Sequence, residues 1–139
     1  MKTTAKVGYG PYTFEMELPA FEHPKAGGKM FVSAEDLHML ENAAARWIID
    51  HGIKAPETIR ALRAAAGLTG SQLADLLGVD KSHVSRWENG KADPGVALWN
   101  TVASLALEAM EGSTRTLDRL RATQTEPPAE REIRLAAVG

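Results

Sequence analysis

The chain contains no cysteine in its 139 residues, which excludes disulfides and any zinc site built on thiolates. No stretch approaches the roughly 18 consecutive apolar residues of a membrane span. The opening MKTTAKVGYGP lacks the apolar block of a secretory signal. The expected location is therefore the cytoplasm, with no membrane partner. An excess of one charge is also missing: 16 Lys and Arg stand against 18 Asp and Glu, a net of −2. A general electrostatic attraction to nucleic acid is weak in such a chain. Gly-rich phosphate loops, nucleophile elbows and metal-ligand spacings are absent as well. The four His fall one by one, and Asp36 and Glu41 read as ordinary members of a helix face. No catalytic residue, metal site or cofactor is expected, and the chain does not read as an enzyme.

What is present is enough apolar residue, 44%, to build one compact domain with room for a small appendage. The most informative segment is GLTGSQLADLLGVDKSHVSRWENG, Gly67 to Gly90. Leu73, Leu76 and Leu77 recur at three- and four-residue steps and mark one apolar stripe on a short helix. Thr69 is the expected N-cap of that helix. Ala74 leaves room for a crossing helix, and Gly78 supplies the positive φ of a sharp exit. Val79 plugs the turn, and Asp80 or Lys81 opens the next helix. Val84 and Trp87, three apart, face inward, so Trp87 is assigned to the core. Lys81, Ser82, Ser85 and Arg86 are left on the outer face, and Gly90 stops the helix. Two short helices joined this way form a unit whose second helix enters the DNA major groove.

These residues resemble the Cro/repressor-type (XRE) helix-turn-helix family. The likeness covers roughly residues 55–110, from TIRALRAAAG through LTGSQLADLLGVDKSHVSRWENGK to ADPGVALWNTVASLALEAM. It implies a five-helix domain that binds DNA as a dimer, and it implies that Glu88 pairs with Arg63 on the preceding helix. The candidate DNA-contacting residues are Lys81, Ser82, Ser85 and Arg86 on the reading face, with Arg86 placed for bidentate contact to guanine. Ser71 and Gln72 can present polar groups to phosphate beside Thr69. His83 either touches the backbone or lies on the surface. Asn89 and Lys91 are loop phosphate contacts, and Asn89 can equally cap the helix. The family usually carries a polar residue where this chain has Gly70, so one expected phosphate contact is missing. Residues 54–93 hold six basic and five acidic side chains, so binding must rest on placed contacts rather than on bulk charge.

The N-terminal third has another character. Tyr12, Phe14, Met16 and Leu18 alternate with Thr13, Glu15 and Glu17, the period-two pattern of a half-buried strand. A shorter strand over Lys6–Tyr9 precedes it, with Gly10-Pro11 as the turn. After a turn at residues 23–28, Lys29–Val32 can pair back as a further strand. Ser33 with Asp36 opens a helix carrying Leu37, Leu40, Ala44, Trp47 and Ile48, which Gly52 ends. This order of strand, turn and helix before a repressor-type domain resembles the MqsA-type antitoxins, which carry a small zinc ribbon there. Where that family has a Cys-x-x-Cys-Gly knuckle, this chain reads His23-x-x-Ala26-Gly27, which implies a metal-free remnant kept for packing or partner contact.

Past the motif, Asp93-Pro94 is expected to start a helix whose apolar arc, Val96, Leu98, Trp99, Val102, Leu105, Ala106 and Ala109, is wide enough to meet a second subunit or to close the core. Ser113 is expected to cap a short basic helix over 113–122, whose Leu117 and Leu120 can extend a dimer contact. From Thr123 periodicity is lost and a loose tail follows, with Ile133 and Leu135 as a candidate docking strand. The sequence thus predicts a mainly α protein, a five-helix repressor-type domain behind a small β-hairpin and a linker helix. Its parts are a β region at 1–32, a connecting helix at 33–53, the helix-turn-helix domain at 54–111, and a short helix with a tail at 112–139. The expected partners are a palindromic double-stranded DNA operator, a second copy of the chain as a homodimer, and a cognate toxin. The function read from this is a dimeric autorepressor of a toxin–antitoxin operon, the antitoxin itself; the alternative is a stand-alone phage or mobile-element repressor.

Overall fold

The computed structural model describes residues 1–25 and 27–137. Strands β1 (Lys2–Tyr9) and β2 (Tyr12–Pro19) form an antiparallel hairpin with Tyr9 opposite Tyr12 across Gly10-Pro11. Strand β1 begins four residues earlier than its residue pattern predicts. Its inward positions Thr3 and Ala5 are small or polar, so the alternation is faint in the sequence, and pairing with the strongly patterned β2 supplies the missing signal. One hairpin face packs on helix α1 (Ala34–Asp50), burying Tyr9 and Leu18. Ser33 caps α1 by accepting the Asp36 N–H at 3.0 Å.

Of the apolar positions of α1, Trp47 does not lie on the buried side. It is 40% exposed and lies against the hairpin, with ring centroids 5.5 Å from Phe14 and 6.1 Å from Tyr12. Its other face stacks on His51. Leu37 is likewise exposed, and the buried side of α1 is Leu40, Ala44, Ala45 and Ile48. The segment expected to pair back at Lys29–Val32 forms only the two-residue strand β4 (Met30–Phe31), against β3 (Phe21–Glu22), as a separate ribbon. In the turn between them, the His23 ring accepts the Lys25 N–H at 3.2 Å. Ala26 lies outside the described residues, as do Val138 and Gly139 of the tail.

A turn of 3-10 helix, Pro56–Thr58, leads directly into α2 (Ile59–Ala65). Helices α3 (Gly70–Leu77) and α4 (Lys81–Glu88) follow, then α5 (Val96–Glu111) and α6 (Arg115–Thr123). The fold is mostly helical, behind small N-terminal antiparallel sheets, as the sequence predicts. Ile48, Ile59, Leu62, Leu73, Val84, Trp99 and Val102 form one buried cluster that Tyr9 of the hairpin joins. Its buried polar group is satisfied: Trp99 Nε1 donates to the Thr58 hydroxyl at 3.1 Å, and that hydroxyl donates to the Ala55 carbonyl at 2.6 Å.

Two helix starts depart from expectation. Helix α5 begins at Val96, not at Asp93, because Gly95 sits at φ +87°, outside helical space, while Asp93 Oδ1 accepts the Gly95 N–H at 2.8 Å. Ser113 is not the cap of α6 either; its hydroxyl reaches only the Arg115 N–H at 3.4 Å. Glu108, from the last turns of α5, takes that role by accepting the Thr116 N–H at 2.8 Å and the Thr116 hydroxyl. Leu117 and Leu120 are half-buried and pack against the chain's own core. The tail to residue 137 has no regular structure, and Ile133 and Leu135 stand exposed. Among the described residues no helix is long and apolar enough to cross a membrane.

Candidate nucleic-acid interface

Helix α3 starts with a reciprocal capping box. The Thr69 hydroxyl accepts the Gln72 N–H at 3.1 Å, and Gln72 Oε1 accepts the Thr69 N–H at 2.8 Å. Two candidate phosphate contacts are therefore engaged with each other as acceptors, leaving the Thr69 O–H and the Gln72 amide NH2 to donate outward. Gly70 sits in the first turn with open space around its Cα, and Ser71 beside it is exposed. Helix α3 ends at Gly78 with φ +68°, where a side chain would be strained. Asp80 then caps α4, its Oδ1 accepting the Ser82 N–H at 3.4 Å.

Helix α4 has one buried edge and one open face. Val84 and Trp87 are buried against the core, whereas Lys81, Ser82, His83, Ser85 and Arg86 are all exposed. Asn89 caps the helix by donating Nδ2 to the Ser85 carbonyl at 2.8 Å. The exit is a Schellman turn, with Lys91 N–H bonded to the Arg86 carbonyl at 2.8 Å and Gly90 N–H to that of Trp87 at 3.0 Å. Gly90 is at φ +70°, and the Glu57 carboxylate lies so close that a Cβ there would overlap it. Lys91 is exposed immediately beyond.

The orientation of α4 is held by a forked ion pair. Arg63 Nε and Nη2 donate to Glu88 at 2.9 and 2.7 Å, and Arg63 Nη1 donates to the Leu68 carbonyl at 3.1 Å. One side chain thus ties α2 to the last turn of α4 and to the loop entering α3. The hydrogen bond to Glu88 raises the Arg63 pKa above its usual value despite partial burial. Tyr9 lies nearby, its phenol pushed up mainly by burial and by Glu41, with Arg60 and Arg63 pulling the other way.

Lys81, Ser85 and Asn89 share a cleft of about 260 Å³ with Gly70, Arg63 and Glu88. The structure thus brings part of the candidate set together at the junction of α3 and α4. Ser82, His83 and Arg86 lie on the neighbouring open surface of α4, and Thr69, Ser71 and Gln72 on the first turn of α3. Arg60, absent from the candidates read from the sequence, lines the same cleft. Its signal is position: three residues before Arg63, it shares a face of α2. Among the described residues no group of three or more His, Asp or Glu could hold a metal ion.

A capped helix, a left-handed glycine turn and a second helix with a polar open face define a helix-turn-helix unit, the class of domain that reads DNA. Comparison agrees: residues 59–104, about a third of the chain, match the family model described as Helix-turn-helix. That domain points to a DNA-binding regulator. Neither the curated proteins nor the solved structures compared with the chain give a match.

Proposed function

We propose that this protein is a cytoplasmic, sequence-specific transcriptional regulator that binds a palindromic operator as a homodimer and represses its own promoter as the antitoxin of a toxin–antitoxin pair. The observation that carries the DNA reading is the open face of α4, where Lys81, Ser82, His83, Ser85 and Arg86 project over buried Val84 and Trp87. Arg86 is the specificity residue, its bidentate bond to guanine O6 and N7 contributing ~1–3 kcal/mol of discrimination. Lys81, Ser82 and Ser85 complete the reading face. Ser71, Gln72, Asn89 and Lys91 grip phosphates, with Thr69 holding the first turn in place. Dimerisation supports this mechanism because two recognition helices must reach successive major grooves roughly 34 Å apart.

The antitoxin part of the proposal draws on the strand–turn–helix order ahead of the DNA-binding domain. It draws also on Phe21 and Phe31, exposed and packed on each other in the β3–β4 ribbon. In this reading residues 54–111 hold the operator, and residues 1–32 or the tail at 112–139 hold the toxin. A footprint on the DNA upstream of the protein's own gene tests the first half. A symmetric protected site, lost in Arg86→Ala, is the expected result, and a folded wild type that protects nothing overturns it. Co-expression with the product of the adjacent gene tests the second half. Neutralised toxicity that survives Arg86→Ala is expected, and no neutralisation leaves the stand-alone phage or mobile-element repressor.

A further inference from the structure

The candidate residues on α3 and α4 leave Arg60 without a role, and we propose that Arg60 is a phosphate-contacting residue whose aim is set by the N-terminal hairpin. The proposal rests on the DNA-binding reading above. Arg60 stands on α2 with its side chain exposed, in the cleft it shares with Gly70, Lys81, Ser85 and Asn89. Arg63 in the same cleft is neutralised by Glu88. Arg60 and Lys81 are therefore the cleft's two cations with no ion-pair partner among the described residues.

The guanidinium is not left to wander. Its Nη2 donates to the Gly8 carbonyl of β1 at 2.6 Å, and its Cζ lies 5.1 Å from the centroid of the Tyr9 ring. Tyr9 is itself locked in the core, 3% exposed. One edge of the fork is thus fixed by the hairpin, and of its five N–H donors four remain for another acceptor. A guanidinium held in this way gives up less rotamer freedom on meeting an anion, and its planar fork suits a phosphodiester. A backbone phosphate is the ligand the placement favours. Base edges are reached from the open face of α4, whereas Arg60 sits on α2 at the rim of that face. Phosphate contacts of this kind fix register and carry affinity without reading sequence. The hairpin thereby becomes part of the DNA-binding machinery, with Tyr9 as a positioning residue.

The test is fluorescence anisotropy of the full-length protein with its operator and with an unrelated duplex, across a salt series, for wild type, Arg60→Gln, Arg60→Lys and Arg86→Ala. Arg60→Gln should weaken binding to both duplexes by a similar factor. It should flatten the slope of log K against log salt by about 0.9, so that the wild-type advantage shrinks about threefold between 50 and 200 mM salt. Arg60→Lys should restore the slope, since it returns the charge. Tyr9→Leu should weaken binding in the wild-type background and add nothing to Arg60→Gln, which simple loss of packing would not do. Should Arg60→Gln destabilise the fold, single methylphosphonate substitutions along the operator supply the same readout. One position should cost wild type affinity and leave Arg60→Lys with a smaller deficit. An unchanged slope and affinity in Arg60→Gln, with Arg86→Ala still losing discrimination, overturns this proposal alone. A wild type that binds neither duplex overturns the DNA-binding reading with it.

Discussion

Arg63 makes three hydrogen bonds to two different segments, and the position of α4 depends on them. Glu88→Ala leaves the guanidinium with one of its three hydrogen bonds and no counter-charge, in a site where the two side chains are only 21% and 12% exposed. Fully buried pairs broken on one side lose ~3–5 kcal/mol, and residual solvent here reduces that to about 2 kcal/mol. Urea denaturation should show the loss. The double replacement Arg63→Met/Glu88→Leu should recover part of it, because no charge is then left unpaired. Gly90→Ala is the second residue-scale prediction. Its φ of +70° is expected to cost ~1–2 kcal/mol for any side chain, and the new Cβ must also push Glu57 aside, so a lower Tm in a thermal melt is expected. The partner of Arg63 is implied by family resemblance, and the bond to the Leu68 carbonyl is not, since backbone acceptors leave no mark in a sequence. Glu57 is invisible for the same reason: it matters only because folding places it under Gly90.

At the scale of elements, helix α6 depends on a carboxylate from another helix. Hydrogen bonds from the Thr116 hydroxyl and N–H hold the Glu108 carboxyl below its usual pKa, helped by Arg115 and Arg119. A lowered folded-state value means the stabilisation is complete above the ordinary glutamate range and is lost as pH falls through the lowered value. Hydrogen exchange at Thr116 to Leu120 should accordingly speed up on acidification relative to the intrinsic rate, and Glu108→Gln should remove that pH dependence. The helices of the motif are legible because their caps and stripes are local: Thr69, Gly78, Asp80 and Gly90, with Gln72 as the unread half of the capping box. Helix α5 is legible in extent but not in its start, because Asp93-Pro94 looks like a helix opening until Gly95 takes a non-helical φ. The first half of β1 is illegible for the opposite reason. Lys2 to Ala5 have little strand character of their own and are strands because β2 lies beside them.

At the scale of the whole molecule, a net charge of −2 means that affinity for DNA must come from a small number of placed contacts and from symmetry. The proposed dimer has surface to use on α5, where Val96 is 54% exposed at the first turn. Val96→Glu should leave the single chain folded, since the side chain is not needed for its core, and should halve the mass seen by light scattering. It should also weaken operator binding most at low protein concentration, where assembly limits occupancy. A dimer mass that does not change would move the interface off α5. The hairpin has a whole-molecule role too, since Tyr9 joins the core of the helical domain and Gly8 holds Arg60.

What the residues determine by themselves is what depends on near neighbours: two short helices and their turn, the inward placement of Val84 and Trp87, the outward polar face of α4, and the hairpin around Gly10-Pro11. Periodicity and capping act within a few residues, so they can be read before any fold exists. Tertiary structure alone decided where distant segments meet. It set Trp47 against the hairpin, gave the cap of α6 to Glu108, packed Leu117 and Leu120 against the core, and brought Gly8 to Arg60 across 52 residues of chain. Those contacts follow from how helices and strands pack around one core. No local pattern specifies them, because each depends on partners that only the folded chain brings within reach.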